Sequence, residues 1–75
     1  MPRPEDDHQL WDWELVATAT RRTRHGPRTR EAWVTHRPDG WYMIADHLTA
    51  PRGPYLAYDT AVSEARAVVR EEQLW

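Results

Sequence analysis

The chain has 75 residues, no cysteine and a formal net charge of -2, so one domain is expected and disulfides and thiolate metal sites are excluded. No apolar run reaches the ~18 residues that a transmembrane helix requires, and the acidic amino terminus, MPRPEDDHQL, is unlike a signal peptide. The sequence therefore predicts a soluble, cytoplasmic protein with no membrane partner.

Charge is distributed unevenly along the chain. Residues 1–9 contain two prolines and three consecutive acids, which predicts an acidic flexible tail before a single domain over 10–75. Residues 1–20 carry a charge of -4, residues 21–30 carry +5 and residues 31–75 carry -3. The small net charge therefore hides a strongly basic segment between two acidic ones.

The first predicted hairpin contains that basic segment. Apolar and polar residues alternate over 10–23, LWDWELVATATRRT, which predicts a strand. A turn is predicted at His25-Gly26-Pro27, and a second strand over 29–36, TREAWVTH. Around this turn lie five arginines: Arg21, Arg22, Arg24, Arg28 and Arg30.

A second hairpin follows at RPDG, residues 37–40, because Pro38 presets φ and Gly40 accepts a positive φ. The third strand is predicted over 41–48, WYMIADHL. A three-residue loop, Pro38-Asp39-Gly40, would pair Arg37 with Trp41. The pairs further along the hairpin would be Val34 with Ile44, Trp33 with Ala45 and Glu31 with His47.

This register assigns residues to the two faces of the sheet. The more apolar face is expected to pack against a helix and comprises Trp13, Leu15, Trp33, Trp41 and Met43. The open face is expected to comprise Val16, Thr18, Val34, His36, Tyr42 and Ile44. A slip of one residue would exchange the faces, because side chains alternate along a strand.

The last part of the chain predicts a helix. After a Pro/Gly-rich loop at 49–54, residues 55–58, YLAY, predict either a short fourth strand or an extended lead-in to a helix, and Asp59 or Thr60 is expected to cap that helix. Its apolar stripe comprises Ala61, Val62, Ala65, Val68 and Val69. The predicted fold is α+β: a three-stranded antiparallel meander with a C-terminal helix on one face, β-β-β-α, with a short fourth strand at 55–58.

Residues suited to catalysis are scarce, so we expect a binding module and not an enzyme. The chain has no cysteine or lysine, and its one serine, Ser63, lies in the predicted helix. The four histidines are too scattered for a metal site, and no glycine-rich loop is present to hold a cofactor phosphate. His47 opposite Glu31 would resemble an oriented general base, although such a cross-strand pair is usually a surface contact.

The basic hairpin favours nucleic-acid binding. A two-stranded ribbon enters a groove of duplex DNA in several families, and arginine binds phosphates bidentately. The five arginines are therefore the predicted contacts. A solvated hairpin is the alternative interpretation, because charged residues also keep an exposed sheet edge from pairing.

A family resemblance points in the same direction. The stretch GWYMIADHLTAPRGPYLAYDTAVSEARAVVREE places Trp41 at the start of a strand, Tyr58 and Thr60 at the helix entry, and Glu64-Ala65 in its first turns. It resembles the arm-type DNA-binding domain of phage and transposon tyrosine integrases, where a Thr-x-x-Glu-Ala motif starts the helix. Glu64 here follows Thr60 by one residue more, and the resemblance covers less than half the chain. It implies a three-stranded sheet lying in the DNA major groove.

The tryptophan content favours a second function, binding to a protein. Five of the 75 residues are tryptophan, a residue enriched at protein interfaces. An inhibitor or adaptor of the kind that phages and plasmids encode would use exposed aromatic side chains, of which Trp11, Tyr42 and Trp75 are the candidates. The sequence leaves open whether the partner is DNA, RNA or a protein, and whether the chain forms a homodimer.

Overall fold

The computed structural model describes residues 11–71 and contains a four-stranded antiparallel sheet and one helix. The elements are β1 (Glu14–Thr23), β2 (Gly26–Arg37), β3 (Gly40–Ala45), β4 (Arg52–Tyr55) and α1 (Tyr58–Val69). Each strand pairs with its neighbour in sequence, in the order β1-β2-β3-β4. The structure therefore confirms the predicted α+β fold with a meander, a short fourth strand and a final helix.

The core lies between α1 and one side of the sheet, which we call the helix face. The sheet contributes Ala17, Ala32, Val34, Met43 and Ala45. The helix contributes the predicted stripe of Ala61, Val62, Ala65, Val68 and Val69, all buried. Most of these side chains are small, so α1 lies close to the sheet and each residue removes little apolar area from water.

The turn between β2 and β3 is one residue shorter than predicted. Arg37 pairs with Gly40, and His36 pairs with Trp41, so only Pro38 and Asp39 lie between the paired residues. Gly40 belongs to β3, where a Cβ would lie 2.8 Å from both Pro54 Cβ and Tyr55 O. Glycine is required there because β4 approaches closely, and the predicted register of this hairpin was wrong by one residue.

The slip exchanges the two faces of β2. Val34 pairs with Met43 on the helix face and Trp33 pairs with Ile44 on the opposite side, which we call the open face. The predicted faces were right for Trp41, Met43, Thr18, Tyr42 and Ile44. They were wrong for Leu15, Trp33, Val34 and His36, and also for Trp13, which stacks against the open-face aromatic residues.

An irregularity in β1 has a similar effect. The register with β2 shifts between Leu15 and Ala17, and the extra residue, Val16, packs against the core instead of lying on the open face. A bulge of this kind places two residues opposite one and changes the alternation along the strand. Glu14 and Ala17 therefore both lie on the helix face.

The fourth strand and the helix begin earlier than predicted. In β4, Tyr55 pairs with Trp41 and Arg52 with Met43. Its Pro/Gly content suggested a loop, but an edge strand tolerates proline because one side of its backbone needs no partner. The N-cap of α1 is Ala57, in an extended conformation and without a side-chain hydrogen bond. At 12 residues, this helix of the described segment is too short to cross a membrane.

Candidate nucleic-acid interface

β1 and β2 extend well beyond the rest of the sheet. β3 ends at Ala45, whose partner is Ala32, whereas β1 and β2 continue to pair as far as Thr23 and Gly26. Residues 19–30 therefore form a two-stranded ribbon, which we call the arm. At about 3.3 Å per residue, the arm projects roughly 20 Å beyond the end of β3.

The arm closes in a short polar turn. Arg24 and His25 lie between the paired residues Thr23 and Gly26, so the turn falls one residue before the predicted His25-Gly26-Pro27. The Thr23 hydroxyl donates to Gly26 O at 2.7 Å and accepts from His25 N–H at 3.2 Å. Gly26 has a φ of 105°, which side chains rarely adopt. This local network holds the tip without any acidic residue.

The five arginines lie on both faces of the arm. Arg21 is opposite Arg28, and Arg30 is opposite Ala19, all on the side that continues the helix face. Arg22 points to the other side, and Arg24 lies in the turn. All are exposed except Arg30, which is half-buried, and Arg21 and Arg30 also interact within the chain. The structure thus gathers the predicted contacts on one element but not on one surface.

The base of the arm contains Asp46 and His47, which the sequence did not predict there. Asp46 N–H donates to Glu31 O, and Glu31 N–H donates to Asp46 Oδ2, both at 3.1 Å. These bonds extend the β2–β3 ladder and bring His47 beside Arg30, so His47 does not pair with Glu31 as expected. The predicted register, which was wrong by one residue, concealed this arrangement.

Two of the other three predicted contact residues, Trp11 and Tyr42, lie at the other end of the sheet. Trp11 stacks on Trp13 at 5.7 Å and meets Tyr42 edge-on at 5.3 Å. The Arg37 guanidinium lies 4.4 Å from the centre of a Trp11 ring. Both Trp11 and Tyr42 are half-buried in this open-face cluster. The predicted contact Trp75 and the predicted acidic tail lie outside the described residues.

Tyr42 is oriented by the turn between β2 and β3. Its hydroxyl donates to Asp39 Oδ2 at 2.6 Å. This hydrogen bond, followed by desolvation and the charge of Asp39, raises the pKa of Tyr42 above its ordinary value, while Arg37 opposes the effect. A neutral hydroxyl is therefore fixed at the edge of the aromatic cluster.

Over residues 11–71, no group of three or more histidines and carboxylates is arranged to hold a metal ion. No family model, curated protein or solved structure matches the chain. The resemblance to integrase arm-type domains therefore stays a prediction.

Proposed function

We propose that the chain is a small, non-enzymatic module that binds nucleic acid, most directly duplex DNA, by inserting the arm into a groove. The observation that carries the proposal is the arm itself, in which five arginines and no acid occupy the ten residues from 21 to 30. The integrase resemblance also favours DNA, although it implies that the sheet, not a protruding arm, enters the groove.

The distribution of the arginines favours insertion over attachment to one side of a duplex. The major groove of B-DNA is about 12 Å wide and admits a two-stranded ribbon. Arg28 on one face and Arg22 on the other would then approach phosphates on opposite walls of the groove. Arg24 in the turn would reach furthest into it.

Salt dependence tests the proposal. If all five arginines neutralise phosphates, the logarithm of the binding constant should fall against the logarithm of salt concentration with a slope of about -4.5, at roughly -0.9 per phosphate. Replacing Arg22 and Arg24 with glutamine should reduce this slope to about -2.7. Anisotropy of a labelled duplex at several salt concentrations measures both.

The control removes the same charge from a different element. Arg66 and Arg70 are exposed residues at the end of α1, and R66Q/R70Q should leave the slope near its original value. Equal slopes for the two double variants would show that only net charge matters. Absence of duplex binding at about 50 mM salt would overturn the proposal.

A second function is supported by the aromatic cluster on the open face. Leu15 is 49% exposed beside Trp33, and Trp11 and Tyr42 already pack in fixed orientations. Aromatic anchors that are held before binding suit a protein interface, including one with a second copy of the chain. Affinity capture with and without nuclease discriminates the two functions, because a nucleic-acid-mediated partner is lost after nuclease treatment.

A further inference from the structure

A small polar pocket lies at the base of the arm, where β2 continues beyond the end of β3. It has a volume of about 190 Å³ and is lined by Arg28, Thr29, Arg30, Asp46 and His47. Ligand pockets for drug-sized molecules usually measure about 300–1,000 Å³. The size of this pocket suits a group smaller than a drug-sized molecule.

Among the described residues that line the pocket, two are arginines and one is a carboxylate. Arg28 and Arg30 lie two residues apart on β2, so their side chains leave the same face of the strand. Among residues 11–71, the one carboxylate in the lining is Asp46, which accepts the Glu31 N–H with one oxygen and lies 3.5 Å from His47 Nδ1 with the other. Arg30 also interacts within the chain, but a guanidinium has five N–H donors, so both arginines favour an anion here.

The backbone of β2 contributes a further donor. Glu31 directs both its N–H and its C=O toward the β3 side, where it bonds to Asp46. Since this direction alternates along an antiparallel strand, Thr29 directs its N–H to the same side, beyond the end of β3. The Thr29 hydroxyl is occupied on the open face, 3.0 Å from the Thr20 hydroxyl. The backbone of Thr29 therefore presents both its N–H and its C=O to this side, and the N–H is the donor that it offers to the pocket.

His47 forms part of the wall. Both of its ring nitrogens are shielded from solvent without a hydrogen-bond partner among residues 11–71, and Nδ1 lies 3.5 Å from Asp46 Oδ1. A shielded polar group without a hydrogen bond is uncommon in folded proteins and is stabilised by an added acceptor. An anion held by Arg28 and Arg30 would bring such an acceptor to the imidazole.

We propose that this pocket binds a phosphate group, with the Arg28 and Arg30 guanidiniums and the Thr29 N–H as donors and His47 beside them. Phosphate oxygens accept from this set of groups in many nucleic-acid complexes. As an anchor for the DNA backbone the site rests on the proposed function, whereas binding of a free phosphate tests the pocket alone. In the duplex complex, the anchor would set how deeply the arm enters the groove.

The test is an NMR titration of the full ¹⁵N-labelled chain with inorganic phosphate, against chloride at equal ionic strength. We expect saturable shifts of the Thr29 amide and the His47 ring resonances with phosphate only. R28Q should raise the dissociation constant about tenfold, the scale of one charge-assisted hydrogen bond. The matched variant R66Q, with the same charge loss on α1, should change it less than about twofold. Shifts that do not saturate, or equal effects of R28Q and R66Q on the dissociation constant, would contradict the proposed phosphate site.

A duplex titration separates the pocket from the proposed function. Shifts of the same Thr29 and His47 resonances on addition of a short duplex support both. Saturable phosphate binding with no response anywhere to the duplex supports the pocket, identifies free phosphate as its ligand and contradicts DNA binding. Duplex binding with no shift of the Thr29 or His47 resonances contradicts the proposed phosphate site and leaves the arm as the interface.

Discussion

Gly40 has both a backbone conformation and a position that exclude other residues. Its φ is 143°, and an added Cβ would lie 2.8 Å from Pro54 Cβ and from Tyr55 O. Gly26 has a φ of 105°, but nothing lies within 4 Å of an added Cβ. Backbone strain costs about 1–3 kcal/mol at either residue, whereas only at Gly40 must β4 also move.

We therefore expect G40A to lower the free energy of unfolding by roughly 2 kcal/mol more than G26A, since crowding of a packed site adds to the strain. Urea denaturation of both variants measures this difference. Equal losses would show that β4 yields to the added methyl group and that its contact with Gly40 is not a tight one.

Tyr42 offers a second test for a single residue. Its pKa is raised chiefly by the hydrogen bond to Asp39, so D39N should return it toward the ordinary value of about 10. The pKa of Tyr58, raised chiefly by its bond to Glu14, should remain high and serves as the internal control. Titration of the ¹³C-labelled tyrosine rings by NMR resolves the two.

The sign of the effect on stability follows from the direction of the shift. A folded-state pKa above the unfolded value means that the neutral hydroxyl is favoured by folding. The contribution of Tyr42 is therefore fully present below about pH 10 and is lost as the pH rises through its folded pKa. The stability difference between the wild type and D39N should shrink above that pH; a difference that grows would contradict the assignment.

At the scale of the elements, local sequence patterns predicted which segments form strands or a helix better than they predicted how the strands pair. The alternation in LWDWELVATATRRT and the spacing of Ala61, Val62 and Ala65 predicted a strand and a helix correctly, because periodicity reflects burial. The pairing of Arg37 with Gly40 was missed because RPDG is compatible with turns of two or three residues. The bulge at Val16 and the strand through Pro54 depend on contacts with other elements.

The candidate site shows the same division. The sequence placed the five arginines on a hairpin, since their turn is close to them in the chain. The pocket at its base brings together Arg30 and His47, which are distant in sequence and meet only in the correct register. The one-residue error in the predicted pairing of Arg37 was enough to hide the pocket.

The close packing of α1 on the sheet gives a prediction for a whole element. Ala65 is fully buried in the core, and Ala67 is exposed on the same helix. A65L should destabilise the fold by about 1–3 kcal/mol, because a larger side chain forces the helix away from the sheet. A67L introduces the same residue into the same helix and should change stability by less than about 0.5 kcal/mol. Chemical denaturation followed by circular dichroism compares them, and similar effects would mean that the interface is loosely packed.

On the scale of the whole molecule, the described residues extend over 41 × 31 × 18 Å, so the domain is flat with its basic arm at one end. The charged segments along the chain set how this shape meets a polyanion. Glu5, Asp6 and Asp7 contribute three of the 12 acids, and Arg3 one of the ten arginines, so removal of residues 1–9 leaves nine of each and a net charge of zero.

We expect deletion of residues 1–9 to tighten non-specific duplex binding at about 50 mM salt, because three negative charges no longer repel the phosphates or compete for the arm. The gain should shrink by about 200 mM salt, as the screening length falls below ~10 Å. The full chain carrying E5Q, D6N and D7N is the control for length and should bind as the deletion does. Tightening in the deletion alone would assign the effect to the bulk of the segment and not to its charge, while unchanged affinity in both would show that the tail has no influence on the arm.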